Sequence, residues 1–229
     1  MRTHAGTSQS HPSGRLSRLL EAAAALFARW GFDKTSVDDI AREAGISKGG
    51  VYLEFPTKEA LFKAVVHREF ARYAEDWLRR FEADPGAWSF ARMVQHSIAA
   101  VNANPLVKAL VTRDQRIYGN FLQRDPELLG LAVSMRTELF GQMQQVGAMR
   151  EDIAAPVIAY LVSVIGYGLV AGAEMIPEAH RVPFEDALRA LGLLLDRGLS
   201  PPRAAHKKAA RALLIAMVEK LRTALLGKA

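Results

Sequence analysis

A chain of 229 residues, half of them hydrophobic, is long enough to bury a sizeable core in one large domain or two small ones. It contains no cysteine, which excludes disulfides, cysteine metal sites and cysteine nucleophiles and is compatible with a reducing cytoplasm. The net charge of +6 suggests an acidic partner, but residues 1–60 hold eight basic and seven acidic residues, whereas residues 201–229 hold seven basic and one acidic. A nucleic-acid role for the N-terminal part would therefore rest on geometry rather than on a broad positive field.

Residues 1–12 are polar and lack the apolar run of an export signal, so a disordered tail is expected there. The first helix is predicted over 13–30, with Leu16, Leu19, Leu20, Ala23, Leu26 and Phe27 on one face and Gly31 ending it. From Thr35 to Lys58 two helix starts flank a glycine turn. Ser36 is a good N-cap, and Asp39 completes a capping box. The second helix then runs from Val37 to about Ala44, with Val37, Ile40, Ala41 and Ala44 at the spacing of one buried face. Gly45 sits where the chain must turn into the left-handed region. Ser47 caps a short third helix, Pro56 stops it, and Thr57 caps the next. This is a helix-turn-helix.

Leu20, Ala23, Leu26, Phe27, Gly31, Phe32, Thr35, Ile40, Ala41, Ala44, Gly45, Ile46, Ser47, Lys48, Gly49, Tyr52, Phe55, Lys58, Glu59 and Leu61 together resemble the N-terminal domain of TetR-type (tetracycline-repressor-like) transcriptional regulators. The resemblance covers about fifty residues. It implies an all-α protein with a three-helix DNA-binding head over 13–60 and a helical ligand-binding and dimerisation body over 61–229. It also implies a homodimer on a pseudo-palindromic double-stranded DNA operator, in the cytoplasm, most often acting as a repressor. By the same resemblance DNA contacts fall to Thr35, Ser36, Ser47, Lys48, Gly49, Gly50, Tyr52 and Lys58, with Lys48 as base reader or groove-phosphate contact and Thr35 and Lys58 as phosphate clamps. Gly50, Leu53 and Glu54 depart from the family pattern. Gly49 and Gly50 cost the free helix up to ~2 kcal/mol relative to alanine, and Glu54 is expected to face solvent.

A long amphipathic helix follows from Thr57 to about Asp84, with Leu61, Ala64, Val65, Phe70, Tyr73, Trp77 and Phe81 inward and Lys63, Arg68, Glu69, Arg72, Arg79 and Arg80 outward. It ends at Asp84, Pro85 and Gly86. Further helices are predicted at 87–103, 105–118, 125–148, 154–175, 184–198 and 203–226, broken at prolines, glycines and Asp125-Pro126. Residues 153–173 are uncharged and could span a bilayer. Their acidic flanks, Glu151, Asp152 and Glu174, favour instead a buried helix that pairs with 184–198 in a dimer interface. The Gly168 and Gly172 pair would permit close approach there.

For an effector, the candidate walls are Trp77, Phe81, Phe90, Met93, Val94, Ile98, Val101, Tyr118, Phe121, Met135, Leu139, Met143 and Tyr167, with His96 and Arg113 among the possible polar anchors, beside Gln95, Asn102 and Arg116. Their abundance points to an apolar or aromatic small molecule. The last helix has Leu214, Met217, Val218, Leu221 and Leu225 on one side, and Arg203, Lys207, Lys208 and Arg211 at its N-terminal end, where the helix dipole disfavours cations. An acidic neighbour would offset that; a solvated basic face is the plainer alternative. The six histidines show no metal spacing, and no nucleophile elbow, Walker loop or dinucleotide-binding glycine loop occurs, so no enzyme, cofactor or metal is expected. Two rival readings are a small-molecule-binding helical protein with vestigial DNA binding and a membrane-associated helical protein.

Overall fold

The computed structural model describes residues 12–84, 89–119, 121, 127–172, 176–201 and 207–226. The tail at 1–11, Pro85 and Gly86, the Asp125-Pro126 break, residues 173–175 and Arg203 lie outside the described residues. Among the described residues every regular element is helical. We number them α1 (Pro12–Lys34), α2 (Val37–Ala44), α3 (Lys48–Glu54), α4 (Lys58–Ala83), α5 (Phe90–Ala103), α6 (Pro105–Val111), α7 (Gln115–Tyr118), α8 (Glu127–Gln145), α9 (Ala155–Ala171), α10 (Phe184–Leu199) and α11 (Lys207–Leu226), with a 3-10 turn at Glu178–His180.

Local chemistry sets the boundaries of the first four helices. Ser36 accepts from the Asp39 amide while the Asp39 carboxylate accepts from the Ser36 backbone, a complete capping box. Gly45 ends α2 at φ 66°, and Ile46 N–H reaches back to Ala41 O, which closes the turn. Ser47 and Thr57 cap α3 and α4 by accepting from the amides of Gly50 and Ala60. Gly31 breaks the helical path where the periodicity places a stop, but the chain resumes helix to Lys34 beyond the kink. Its φ of 80° and ψ of 168° suit glycine alone, and a Cβ there would collide with the Arg116 carbonyl oxygen on α7.

That close approach joins head and body. Phe62 of α4 stands at the centre of an aromatic cluster, 4.7 Å from Phe27, 4.9 Å from Phe32, 5.3 Å from Tyr118 and 4.8 Å from Phe121. Edge-to-face packing of this kind adds to the burial of large rings. The core then continues through α4, α5, α6, α8 and α9.

The body departs from expectation at several points. The segment 105–118 is two helices, because Arg113 adopts φ 53° and Asp114 caps α7 anew. α5 begins at Phe90, after the Ser89 cap, rather than near 87, and α8 ends at Gln145, shortly before Gly147 at φ 66°. Arg68 and Glu69 do not face solvent. Glu69 is buried and accepts from Arg68 (2.9 Å), Arg72 (3.2 Å) and Asn104 (2.9 Å), while Arg68 also donates to Leu20 O. α4 is packed on several sides, by α1, α5, α6 and α11, so its polar face must be satisfied internally.

α11 lies on α4 and α8, with Leu214, Val218, Leu221 and Leu225 buried. Near its basic start Arg211 pairs with Glu82 of α4 at 3.1 Å, while Lys207 and Lys208 are exposed. α9, at 17 residues, is about 25 Å long, and among the described residues no helix is long and apolar enough to cross a membrane. One face of it stays uncovered in the single chain: Tyr160 is 66% exposed, Leu194 of the neighbouring α10 is 70% exposed, and Leu161, Val164 and Leu193 are also open. Added Cβ atoms at Gly168 and Gly172 would meet nothing.

Candidate nucleic-acid interface and internal cavity

The seven residues of α3 sort themselves by helical rotation. Gly50 and Val51 are buried against the rest of the head, which turns Lys48, Gly49, Tyr52 and Leu53 to solvent. Gly49 has open space where a side chain would be, Tyr52 is 44% exposed and Leu53 is 85% exposed. Glu54 faces solvent as expected, and Phe55 packs on the core. Lys48 is exposed, and its Nζ donates to Asp38 Oδ2 on α2 at 2.6 Å. That carboxylate holds the Lys48 ammonium above its ordinary pKa, chiefly through the hydrogen bond. Ser36 and Ser47 are exposed at the starts of α2 and α3, with their hydroxyls engaged as caps.

Three of the residues expected at the DNA are engaged within the chain. Thr35 is buried, and its hydroxyl donates to Gly31 O at 2.7 Å, which closes the α1–α2 corner. Lys58 donates to Phe32 O at 2.9 Å and Thr35 O at 3.2 Å and lies 4.3 Å from the Phe32 ring. Its ammonium therefore satisfies carbonyls at the end of α1. Gly50 is buried, its amide is taken by Ser47, and its carbonyl accepts from Arg15 of α1 at 3.2 Å. A side chain there would displace that guanidinium. Leu53, one of the departures from the family pattern, is the more exposed of the two large outward side chains, ahead of Tyr52.

The body holds a partly open cavity of about 370 Å³, within the roughly 300–1,000 Å³ typical of ligand sites. α4, α5, α6, α8, α9 and α11 all contribute walls. Of the candidates from sequence, Trp77, Met93, Val94, Ile98, Val101, Arg113, Met135, Leu139 and Tyr167 line it. Trp77 donates its ring N–H to Met93 O at 2.9 Å and so offers the cavity an already satisfied ring.

The others do not line it. Tyr118 is fully buried in the head–body cluster, donates to Leu106 O at 3.0 Å, and is pushed to a higher pKa by burial. Phe121 packs on Phe62. Phe90 packs on Phe140, Phe81 lies beside the His96 ring, and Met143 is core. His96 Nε2 is 2.8 Å from Asp84 Oδ2 at the end of α4. Lining residues that periodicity passed over include Phe70, Tyr73, Ser97, Arg136, Phe140 and Ser163.

The polar members of the lining are connected. Tyr73 Oη and Ser97 Oγ are 2.7 Å apart, Arg136 donates to Ser163 Oγ, and Ser163 donates to Ala159 O at 2.6 Å. Burial pushes the Tyr73 phenol up, against the pull of the nearby Arg136 charge, so it stays protonated.

Residues 19–65 match the family described as bacterial regulatory proteins, tetR family. The HTH-type transcriptional regulator YfiR of Bacillus subtilis is 40% identical over 58 residues, which are 25% of this chain and 28% of that protein. UidR of Escherichia coli, also an HTH-type transcriptional regulator, is 26% identical over 182 residues, 76% of this chain and 89% of its own length. Among solved structures, the transcriptional regulator FadR of Bacillus subtilis in complex with stearoyl-CoA shares the fold, with a TM-score of 0.59 at 15% identity, over 78% of this chain and 96% of that one.

Proposed function

We propose, on the premise that residues 19–65 belong to the tetR family of bacterial regulatory proteins, that this chain is a ligand-responsive, DNA-binding transcriptional regulator. Residues 13–60 act as the reading head and 61–229 as the effector and dimerisation body of a cytoplasmic homodimer. The observation that carries the reading is the outward set of Lys48, Gly49, Tyr52 and Leu53 on a short helix whose inner face is locked by Gly50 and Val51. Lys48 and Tyr52 supply polar contacts in the major groove, Ser36 and Ser47 bring helix starts to phosphates, and Leu53 offers an apolar surface to a thymine methyl.

Two copies meet through the uncovered apolar face of α9 and α10, which is of the kind that monomers seldom leave open. A twofold dimer of this sort presents two heads to a pseudo-palindromic operator. A small molecule in the cavity favours the arrangement whose heads no longer match successive major grooves, and so acts by differential affinity for the two states. Repression relieved by the effector is the corresponding direction of control.

The test is fluorescence anisotropy of the full chain on DNA from its own upstream region across a salt series, with footprinting of the bound site. Sequence-specific, salt-sensitive binding of a dimer is expected. Binding that neither discriminates sequence nor responds to salt would sink the regulatory reading. The rival, a small-molecule binder with vestigial DNA contact, draws support from the ion pair that occupies Lys48.

A further inference from the structure

We propose that the cavity takes an amphipathic organic acid, its carboxylate held by the Arg136 guanidinium and its apolar body lying against Trp77, Leu139 and Phe140. The inference rests on the reading of the cavity as an effector site and assigns the chemistry of that effector. Two charged side chains, Arg136 and Arg113, occur among the described lining residues, and both are cations. Arg136 is half-buried, and its one side-chain partner among the described residues is the Ser163 hydroxyl. Of the other half-buried arginines, Arg68, Arg80 and Arg92 each hold a carboxylate, while Arg15 donates to the Gly50 carbonyl. A guanidinium kept in an apolar chamber without an anion is unfavourable, and a ligand carboxylate would supply the missing charge.

The geometry suits a planar acid. Ser163 gives its proton to Ala159 O, so it accepts from Arg136 and fixes the guanidinium in place, leaving further N–H groups to form a forked contact. Ser163 is thus a positioning residue. Tyr73 and Ser97 share one hydrogen bond between two hydroxyls, so one hydroxyl proton remains to donate to the same anion. Arg113, exposed at the rim, draws an anion toward the opening. A neutral apolar effector would leave Arg136 as it is; an acid satisfies it.

The full chain is titrated with decanoate, 1-decanol and decanoyl-coenzyme A by calorimetry, with intrinsic tryptophan fluorescence, to which Trp77 contributes, as a second readout. Decanoate should bind at least about tenfold tighter than decanol, as a charge-assisted contact implies. Arg136→Gln should erase that preference and Arg136→Lys keep part of it. Ser163→Ala should weaken decanoate severalfold while leaving decanol unchanged, which keeps the test open if Arg136→Gln does not fold. Equal affinity for acid and alcohol, no binding of decanoate, or a preference that survives Arg136→Gln overturns the inference. Arg136-dependent binding of the coenzyme A ester alone moves the anchor to a phosphate and overturns the carboxylate. Operator binding is followed on the same samples: decanoate that binds without releasing DNA leaves the acid site standing and removes the effector reading, whereas DNA that never binds removes the regulatory reading separately.

Discussion

In the head, the ammonium of Lys58 donates to two carbonyls, Lys48 pairs with Asp38, and the Arg15 guanidinium covers Gly50, whereas in the body Arg136 faces a chamber with no described carboxylate in its lining. The same residue chemistry thus serves cohesion in one region and remains available in the other. A cation near a presumed DNA surface is not thereby a DNA contact, and a cation within an apolar body is not thereby a structural one. What decides is whether the fold already provides an acceptor.

That contrast is broken most severely at the α4 network. Glu69→Leu removes the acceptor shared by Arg68, Arg72 and Asn104 and leaves the well-shielded Arg68 with fewer partners. A loss of about 3 kcal/mol is expected, in the range for breaking a buried ion pair, and is read by urea unfolding. A loss below about 1 kcal/mol, the size of an exposed pair, would show that this network behaves as surface.

Lys58→Met comes next. Two charge-assisted bonds to carbonyls are lost, for about 2 kcal/mol, while the salt dependence of operator binding stays as in the parent. A phosphate clamp would behave in the opposite way, reducing the salt slope by about one unit with little change in stability.

The head was legible because its signals are local. Ser36 with Asp39, Gly45, Ser47 and Thr57 each act within a few residues, so sequence order alone places α2, α3 and the start of α4. The roles of Thr35, Lys58 and Gly50 were not legible, since Lys58 bonds 23 and 26 residues back and Arg15 reaches Gly50 across 35. In the body the apolar pattern marks helices but not which apolar face borders a cavity. Tyr118 and Phe121 look like pocket walls and instead build the junction with Phe62. Arg136 and Ser163 lie on different helices, so no spacing announces them. The break at Arg113 is equally silent, because a positive φ at arginine has no compositional mark.

Asp38→Asn sharpens the comparison by making a head cation resemble the body one. The Lys48–Asp38 pair is about half-exposed on both sides, so its loss should leave stability nearly unchanged. Freed from its carboxylate, Lys48 should raise operator affinity severalfold at low salt, with the gain fading as ionic strength rises. Unchanged or weaker affinity in the anisotropy titration would mean that Asp38 positions Lys48 rather than restrains it.

The smallest effect is expected at the α6–α7 break. Asp114 accepts from the Arg116 backbone amide at 2.9 Å and from its guanidinium at 2.8 Å, and that side-chain bond, ahead of the opposing effect of burial, holds its carboxyl below the ordinary aspartate range. A depressed folded pKa stabilises the fold above the unfolded value, about 4, and that stability is lost as pH falls through the folded value. Asp114→Asn keeps an acceptor for the cap but removes the charge. Because the Arg116 side chain is 87% exposed, the cost at pH 7 should stay under about 1 kcal/mol. Urea midpoints of parent and variant should differ at pH 7 and converge as pH falls below the lowered folded value. A difference that persists in acid would assign the effect to cap geometry, and the junction would then owe its angle to the aromatic cluster and Gly31 rather than to this ion pair.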